Sequence, residues 1–188
     1  IKWFSLIRIT GLILVLLYHF FQTIFPGGFF GVDVFFTFSG FLITSLLLEE
    51  FSQKGEIDII GFFRRRFYRI FPPVVMMVLV IMPFTLMVRQ DYVAGIGAQI
   101  AGVLGFMTNF YEMLTGGSYE SQFIPHLFVH NWSLAVEVHY YILWGLAVWF
   151  LSKRYKTSGQ LRGTVFILSS AVFLISFLSM FTGSFIVS

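Results

Sequence analysis

Residues Trp132–Leu151 read Trp-Ser-Leu-Ala-Val-Glu-Val-His-Tyr-Tyr-Ile-Leu-Trp-Gly-Leu-Ala-Val-Trp-Phe-Leu, and this stretch decides the fold class. It is an apolar run close to the ~20 residues a helix needs to cross about 30 Å of hydrocarbon. Apolar and polar residues do not alternate along it, as they would in a strand of a membrane barrel, so the run predicts a helix. Working outward, five more runs share this character: Phe4–Phe25, Phe30–Leu48, Ile70–Val88, Tyr92–Phe110 and Thr164–Val187. Pro26-Gly27-Gly28 closes the first of them. Pro72-Pro73 suit the first turn of the Ile70–Val88 helix, where no backbone donor is lost. The expected fold is all-α, a polytopic integral membrane helix bundle with about six hydrophobic segments.

Composition agrees. Of 188 residues, 57% are hydrophobic and 11% charged, with 26 Phe, whereas an ordinary globular domain has about 25% charged residues. Too few polar residues remain to cover a water-facing surface. Disorder and a nucleic-acid-binding domain are excluded on the same figures. The chain has no cysteine, which removes disulfides, Fe–S clusters and thiol nucleophiles. The first segment does not read as a typical signal peptide, because its apolar run is too long and no small-residue cleavage site follows. Because the chain begins at Ile1 and stops at Ser188 just after an apolar run, residues 1–188 are expected to be the N-terminal part of a larger membrane domain, with more helices and any extracytoplasmic domain lying beyond them.

The net charge of +3 is small, so what matters is where the charges sit. Lys54, Arg64, Arg65, Arg66 and Arg69 follow the second run, which places that connection in the cytoplasm. A second basic group, Lys153, Arg154, Lys156 and Arg162, should lie on the same side. Three crossings between the two groups would instead put them on opposite sides. Either Tyr92–Phe110 does not cross fully, or the second group is external. Within Tyr92–Phe110, Ala94, Ala98 and Gly102 fall four apart, as do Ala101 and Gly105, a spacing that lets helix backbones approach closely.

A few ionisable residues fall inside apolar runs, and such residues are functional candidates by default. Arg8 and His19 are eleven positions apart, which is three helical turns plus about 20°, so they share one face about 16 Å apart along the axis. A donor gripped by Arg8 would thus meet chemistry near His19. The plainer reading makes Arg8 a snorkelling anchor and His19 a packed interfacial residue. Glu137 has Ser133 four residues before it and Tyr141 four after, on one face, and is expected to pair with Arg8 or His19. A purely structural ion pair is the alternative. Asp33 suits the dipole at the start of a helix. Three consecutive arginines with Arg69 are either a topology signal alone or a site for an anionic phosphate group. His126 and His130 lie in a connection without metal-type spacing and read as loop residues, so no metal is expected.

Four ordered motifs resemble the membrane acyltransferase-3 family. They are Arg8 with ten residues before His19; Gly31-Val32-Asp33-Val34-Phe35-Phe36 running into Ser39-Gly40-Phe41-Leu42-Ile43; Phe63-Arg64-Arg65-Arg66 followed by Arg69, Ile70 and Pro72; and Trp132-Ser133-Leu134-Ala135-Val136-Glu137 with Tyr140-Tyr141. Any one is weak, but four in this order are specific. Within the family, the chain is most similar to the integral-membrane part of Gram-positive peptidoglycan O-acetyltransferases. The family pattern often has Glu and Gln after this glutamate and a Pro after the later Trp; Val138, His139 and Gly145 stand there, so no role is carried over to them.

The resemblance implies a bundle of about ten helices in the bacterial plasma membrane. It implies acyl transfer, usually of acetyl, from cytoplasmic acetyl-CoA to a hydroxyl of an extracytoplasmic glycan, here most readily peptidoglycan. Some members carry an SGNH-like domain after the membrane part. By resemblance, Arg64, Arg65, Arg66 and Arg69 would hold the phosphates of acetyl-CoA and Arg8 would draw in the pantetheine end. His19 would be the general base or acyl relay, and Glu137 would orient or charge-balance His19 or Arg8. The competing reading is a proton- or ion-coupled transporter using Arg8, His19 and Glu137 as its path. It leaves the arginine-rich mouth unexplained, and no internal repeat accompanies it. A membrane scaffold would make the polar residues incidental.

Overall fold

A computed structural model describes residues 2–21, 23–85, 87, 95–115 and 126–187, with the side chains of 2–5, 8, 26, 181 and 183–187 outside the description. The described residues form helices α1 (Lys2–Phe20), α2 (Phe30–Lys54), α3 (Ile59–Thr85), α4 (Ile96–Leu104), α5 (Thr108–Thr115), α6 (Trp132–Ser152) and α7 (Ser158–Val187), with 3-10 turns at Pro26–Phe29 and Val129–Asn131. No strand occurs among them. Gly27–Lys54, Ile59–Thr85, Val129–Ser152 and Ser158–Met180 are long and apolar enough to cross a membrane, and Ile9–Phe20 is a shorter apolar stretch. The chain is an all-α, multi-pass membrane protein.

Glycines bring α1 and α2 together as an antiparallel hairpin. A Cβ on Gly11 would lie 3.3 Å from Gly31 O, and one on Gly31 would lie 2.5 Å from Gly11 O. Gly28 packs in the same way against Leu14 and Tyr18. Contact this close needs residues without side chains, the device membrane helices use where no hydrophobic force drives them together. At its other end α2 stops at Gly55, whose φ of 75° suits a residue lacking Cβ and whose N–H reaches Phe51 O at 2.8 Å.

Helix α3 begins eleven residues before the expected Ile70. Asp58 is the reason: its Oδ1 accepts the Gly61 N–H at 2.9 Å and its carbonyl accepts the Phe62 N–H at 2.9 Å, which caps the helix ahead of the arginines. Ile57 and Phe62 are buried with Leu47, Phe51, Tyr141 and Val148 in the largest core cluster. The arginine run therefore lies on a helix and not in a connection. Pro72 and Pro73 sit inside α3 instead of opening it, a placement that membrane helices tolerate.

Helices α2 and α6 run parallel. Phe36 meets Trp132 with ring centroids 6.3 Å apart. One turn on, Gly40 faces the Tyr140 hydroxyl, and Trp144 Nε1 donates to Thr44 Oγ1 at 2.8 Å. Partner numbers rise together along both helices, so Lys54 and Ser152 end on the same side. The two basic groups share that side, and by the positive-inside rule it is cytoplasmic.

Tyr92–Phe110 therefore does not make a third crossing between those groups. Residues 92–94 fall outside the described residues, and the rest is not one helix. Helix α4 has nine residues, about 14 Å at 1.5 Å per residue, well short of a bilayer. The chain then turns at Gly105–Met107, with Phe106 at φ 53° and the Met107 N–H bonded to Gly102 O at 2.7 Å. Gly102 faces Thr108 and Tyr111 on α5 at 3.7 Å. The small residue at this position closes a local helix pair, while Val103 beside it packs against Val74 and Val78 of α3.

Helix α6 matches the expected span. Gly145 admits α3, since a Cβ there would be 3.1 Å from the Phe62 ring. Helix α7 begins six residues before Thr164, and its apolar side chains, such as Phe166, Ile167 and Phe173, are exposed as on a lipid-facing helix.

Candidate active site

Ser39 on α2 meets Glu137 and Tyr141 on α6. The two α6 residues are four apart and share a face. The hydroxyls of Ser39 and Tyr141 both donate to Glu137 Oε1, and they lie 3.4 Å from each other. Ser39 and Tyr141 are buried, so one carboxylate oxygen is held in a fixed direction by two packed side chains. The parallel register of α2 and α6 brings these groups, 98 residues apart in sequence, into contact.

On one side of this cluster a cavity of ≈ 340 Å³ opens between α2, α3 and α6. Arg66, Arg69, Ser39, Glu137 and Tyr141 all line it. Arg66 lies with Cζ 5.7 Å from the ring centroids of both Phe62 and Tyr141, within reach of a cation–π contact. A smaller cavity of ≈ 270 Å³ at the cytoplasmic rim is lined by Lys54, Arg65 and Arg66 together with Glu49 and Glu50. Arg66 lines both, so a row of polar groups runs inward from the rim to Glu137. On the other side of Glu137 and Ser39, a chamber of ≈ 1000 Å³ opens between α2, α6 and α7 with mostly apolar walls, Phe41, Trp144 and Phe173 among them.

The helical placement of the arginines separates them. Arg66 and Arg69 are three apart on one face and reach the cavity. Arg65 turns to Glu50, with nitrogen and oxygen 3.5 Å apart. Arg64 is exposed, 200° round the helix from Arg66 at about 100° per residue.

His19 stands at the opposite end of the bundle. Its Nδ1 is 2.8 Å from Val15 O. A carbonyl oxygen only accepts, so Nδ1 is the donor in this contact. Tyr18 packs edge-on to it at 5.5 Å. The His130 ring lies 4.9 Å away, centroid to centroid, at 72°. His19 is thus placed with His130, just ahead of α6, and not with Glu137, which lies seven residues further along the chain and more than a turn inside α6. The expected pairing of Glu137 with His19 is replaced by the two hydroxyls, because the α1–α2 hairpin puts His19 near the Pro26–Phe29 turn. The side chain of Arg8 lies outside the described residues. Asp33 is in the first turn of α2 and exposed, as a dipole-compensating residue would be.

Three further polar residues acquire partners that sequence spacing does not reveal. Ser39 carries no charge to mark it. His130 reads as part of a connection until the fold closes it on His19. Glu112 on α5 pairs with His126 Nδ1 at 2.7 Å, and both are largely buried, so His126 is part of a packed polar pair and not a loose loop residue.

The whole chain, residues 1–188, matches the family model described as an acyltransferase domain, that of the acyltransferase-3 family. It is similar to O-acetyltransferase OatA of Staphylococcus aureus, 33% identical over 163 residues that cover 87% of this chain and 27% of that protein. A second protein of that species, from strain COL and also named as an O-acetyltransferase, is 33% identical over 154 residues, covering 80% of this chain and 26% of its own length. The chain thus spans about a quarter of these relatives. No solved structure matches it.

Proposed function

The chain belongs to the acyltransferase-3 family, and from that membership we propose that it forms part of a membrane O-acetyltransferase of the bacterial plasma membrane. The enzyme moves acetyl from cytoplasmic acetyl-CoA to a hydroxyl of an extracytoplasmic glycan. Peptidoglycan is the acceptor that the motif resemblance favours. The relatives' names supply the acetyl group and the transfer to oxygen.

The observation that carries this reading is the polar row from the basic rim through Arg66 and Tyr141 to Glu137 and Ser39. Guanidinium groups match phosphate geometry in two directions at once. Arg66 and Arg69 hold the phosphates of the donor, with Arg65 at the rim; Arg64, on the far face, adds only to the local field. Glu137 balances this positive charge inside the bilayer, and its two hydroxyl donors keep it aimed into the cavity. Arg8 draws the pantetheine arm along α1 toward His19.

His19 is the general base. Its Nε2 takes the proton of the acceptor hydroxyl as the oxygen bonds to the acetyl carbon. The carbon–sulfur bond then breaks, and the imidazolium returns the proton to the CoA thiolate. Acetyl crosses while CoA stays on its own side. A proton- or ion-coupled transporter gains nothing from these observations, since the same ionisable residues are accounted for by transfer.

The test uses membranes carrying the intact protein, supplied with acetyl-labelled CoA and isolated glycan. Label should appear on the glycan as a base-labile ester and vanish in His19→Ala with the protein still inserted. Wild-type membranes that fail to transfer label would refute the function; an active His19→Ala would remove that residue from it.

A further inference from the structure

We propose that the cavity at the cytoplasmic rim receives the nucleotide end of the donor: Lys54 and Arg65 hold the ribose 3′-phosphate of CoA, and Glu50 positions both cations. This inference rests on the acetyl-transfer reading above and deepens it, because it gives the protein a way to tell CoA from other carriers of a pantetheine thioester.

CoA is anionic in two places. A diphosphate joins pantetheine to adenosine, and a separate phosphate stands on the ribose. With the diphosphate at Arg66 and Arg69, the pantetheine arm leaves on one side of these arginines and the nucleotide on the other. The two cavities divide in the same way. Arg66 lines both: the inner one continues to Ser39, Glu137 and Tyr141, and the outer one, ≈ 270 Å³, opens at the rim between the end of α2 and the start of α3. An uncharged thioester arm can enter the bilayer at small cost, whereas a charged nucleotide is held at the aqueous end.

The residues at the rim suit a phosphate. Glu50 stands on α2 one turn before Lys54, and its side chain is 12% exposed. Its Oε1 accepts from Lys54 Nζ at 2.9 Å, and its Oε2 lies 3.5 Å from an Arg65 nitrogen. One carboxylate thus gathers two cations, one on each oxygen, from two different helices. Side-chain ordering that a ligand would otherwise have to impose is already in place. Neither cation is exhausted by this contact, since an ammonium and a guanidinium each carry more donors than one carboxylate oxygen takes. Lys54, Arg65 and Arg66 line the cavity against Glu49 and Glu50, so its balance is positive before any ligand enters. Leu46 and Phe62 add an apolar wall for the purine.

The backbone holds this arrangement. Gly55 ends α2 in the left-handed conformation, with its N–H on Phe51 O at 2.8 Å, and Asp58 caps the Gly61 N–H at 2.9 Å. So short and closed a connection fixes where Lys54 stands relative to Arg65. A topology signal would need these charges but not their convergence on one carboxylate. A lipid headgroup phosphate would offer the same chemistry from the bilayer, and the choice of ligand separates it from CoA.

The test compares CoA with dephospho-CoA, which lacks only the ribose phosphate. Binding of each would be titrated by calorimetry with the intact protein in nanodiscs of neutral lipid, and KM measured in membranes for the two acetylated donors. We expect the wild type to bind dephospho-CoA about 10-fold more weakly than CoA, the loss of one phosphate paired with two cations. Lys54→Gln and Arg65→Gln should each weaken CoA about 2- to 5-fold, as for a partly exposed ion pair. Neither should change dephospho-CoA appreciably, and kcat should stay near its wild-type value. In the double variant the preference for CoA should fall to about 2-fold or less. Equal affinity of the wild type for the two nucleotides overturns the proposal, and that comparison requires no substitution. A loss shared equally by both nucleotides also overturns it, since a structural or topology role would act on both alike. So does an effect that appears only with anionic lipid in the nanodisc, which would assign the pair to a headgroup. Selective binding of CoA without any acetyl transfer would uphold this site and refute the acetyl-transfer reading instead.

Discussion

Tyr141→Phe removes one hydroxyl at the centre of the bundle. The substitution removes the hydroxyl that donates to Glu137 Oε1. It keeps the ring that lies 5.7 Å from Arg66 Cζ and its place in the core. A hydrogen bond to a charged group contributes about 1.5–3 kcal/mol, and about 1.4 kcal/mol is a factor of ten in rate. If the carboxylate's direction matters to donor placement, kcat/KM for acetyl-CoA should fall about 10- to 100-fold. Ser39→Ala removes the other donor to the same oxygen and should cost a similar amount. Because both hydroxyls serve one atom, the double variant should depart from additivity, with a coupling of about 0.5–3 kcal/mol. Acetyl transfer by membranes containing each variant gives the kinetic cycle, and thermal inactivation in detergent gives the parallel stability cycle. Both single variants indistinguishable from wild type in activity would refute the idea that Glu137 must be aimed. Strict additivity would refute the shared oxygen.

The division among the arginines predicts that Arg66→Gln raises the acetyl-CoA KM about 10-fold or more through lost phosphate pairing, with Arg66→Lys intermediate and Arg64→Gln close to wild type; equal effects at 64 and 66 would contradict the cavity assignment. With no native cysteine to interfere, single cysteines at Ser52 and Ser158 should both be protected from an impermeant thiol reagent on intact cells, while one at Thr115 is labelled; a labelled Ser158 would contradict the parallel course of α2 and α6. Gly31→Ala should lower thermal stability, since its Cβ would meet Gly11 O at 2.5 Å, whereas Gly163→Ala, which meets nothing within 4 Å, should stabilise by about 0.5–1 kcal/mol through helix propensity.

The sequence by itself determined that this chain crosses a membrane as helices, because hydrocarbon tolerates no unsatisfied backbone and long apolar runs have no other solution. Trp132–Leu151 needed no tertiary information, and α6 spans Trp132–Ser152. The ordered motifs also revealed the family, since Arg8, His19, the arginine run and Glu137 keep their sequence spacing whatever the packing. The start of α3 was encoded too, in the Asp58 cap, but a weak local signal was outweighed by the apparent break at Pro72-Pro73. Partnerships were a different matter. Spacing along one helix says which residues share a face and says nothing of which other helix that face meets. Only the parallel packing of α2 and α6 decided that Glu137 belongs with Ser39 and Tyr141, and that the two basic groups lie on one side. Only the glycine-lined α1–α2 hairpin carried His19 away from Glu137 and against His130. These contacts join residues roughly a hundred positions apart, and they depend on helix register, which a uniformly apolar sequence leaves undetermined.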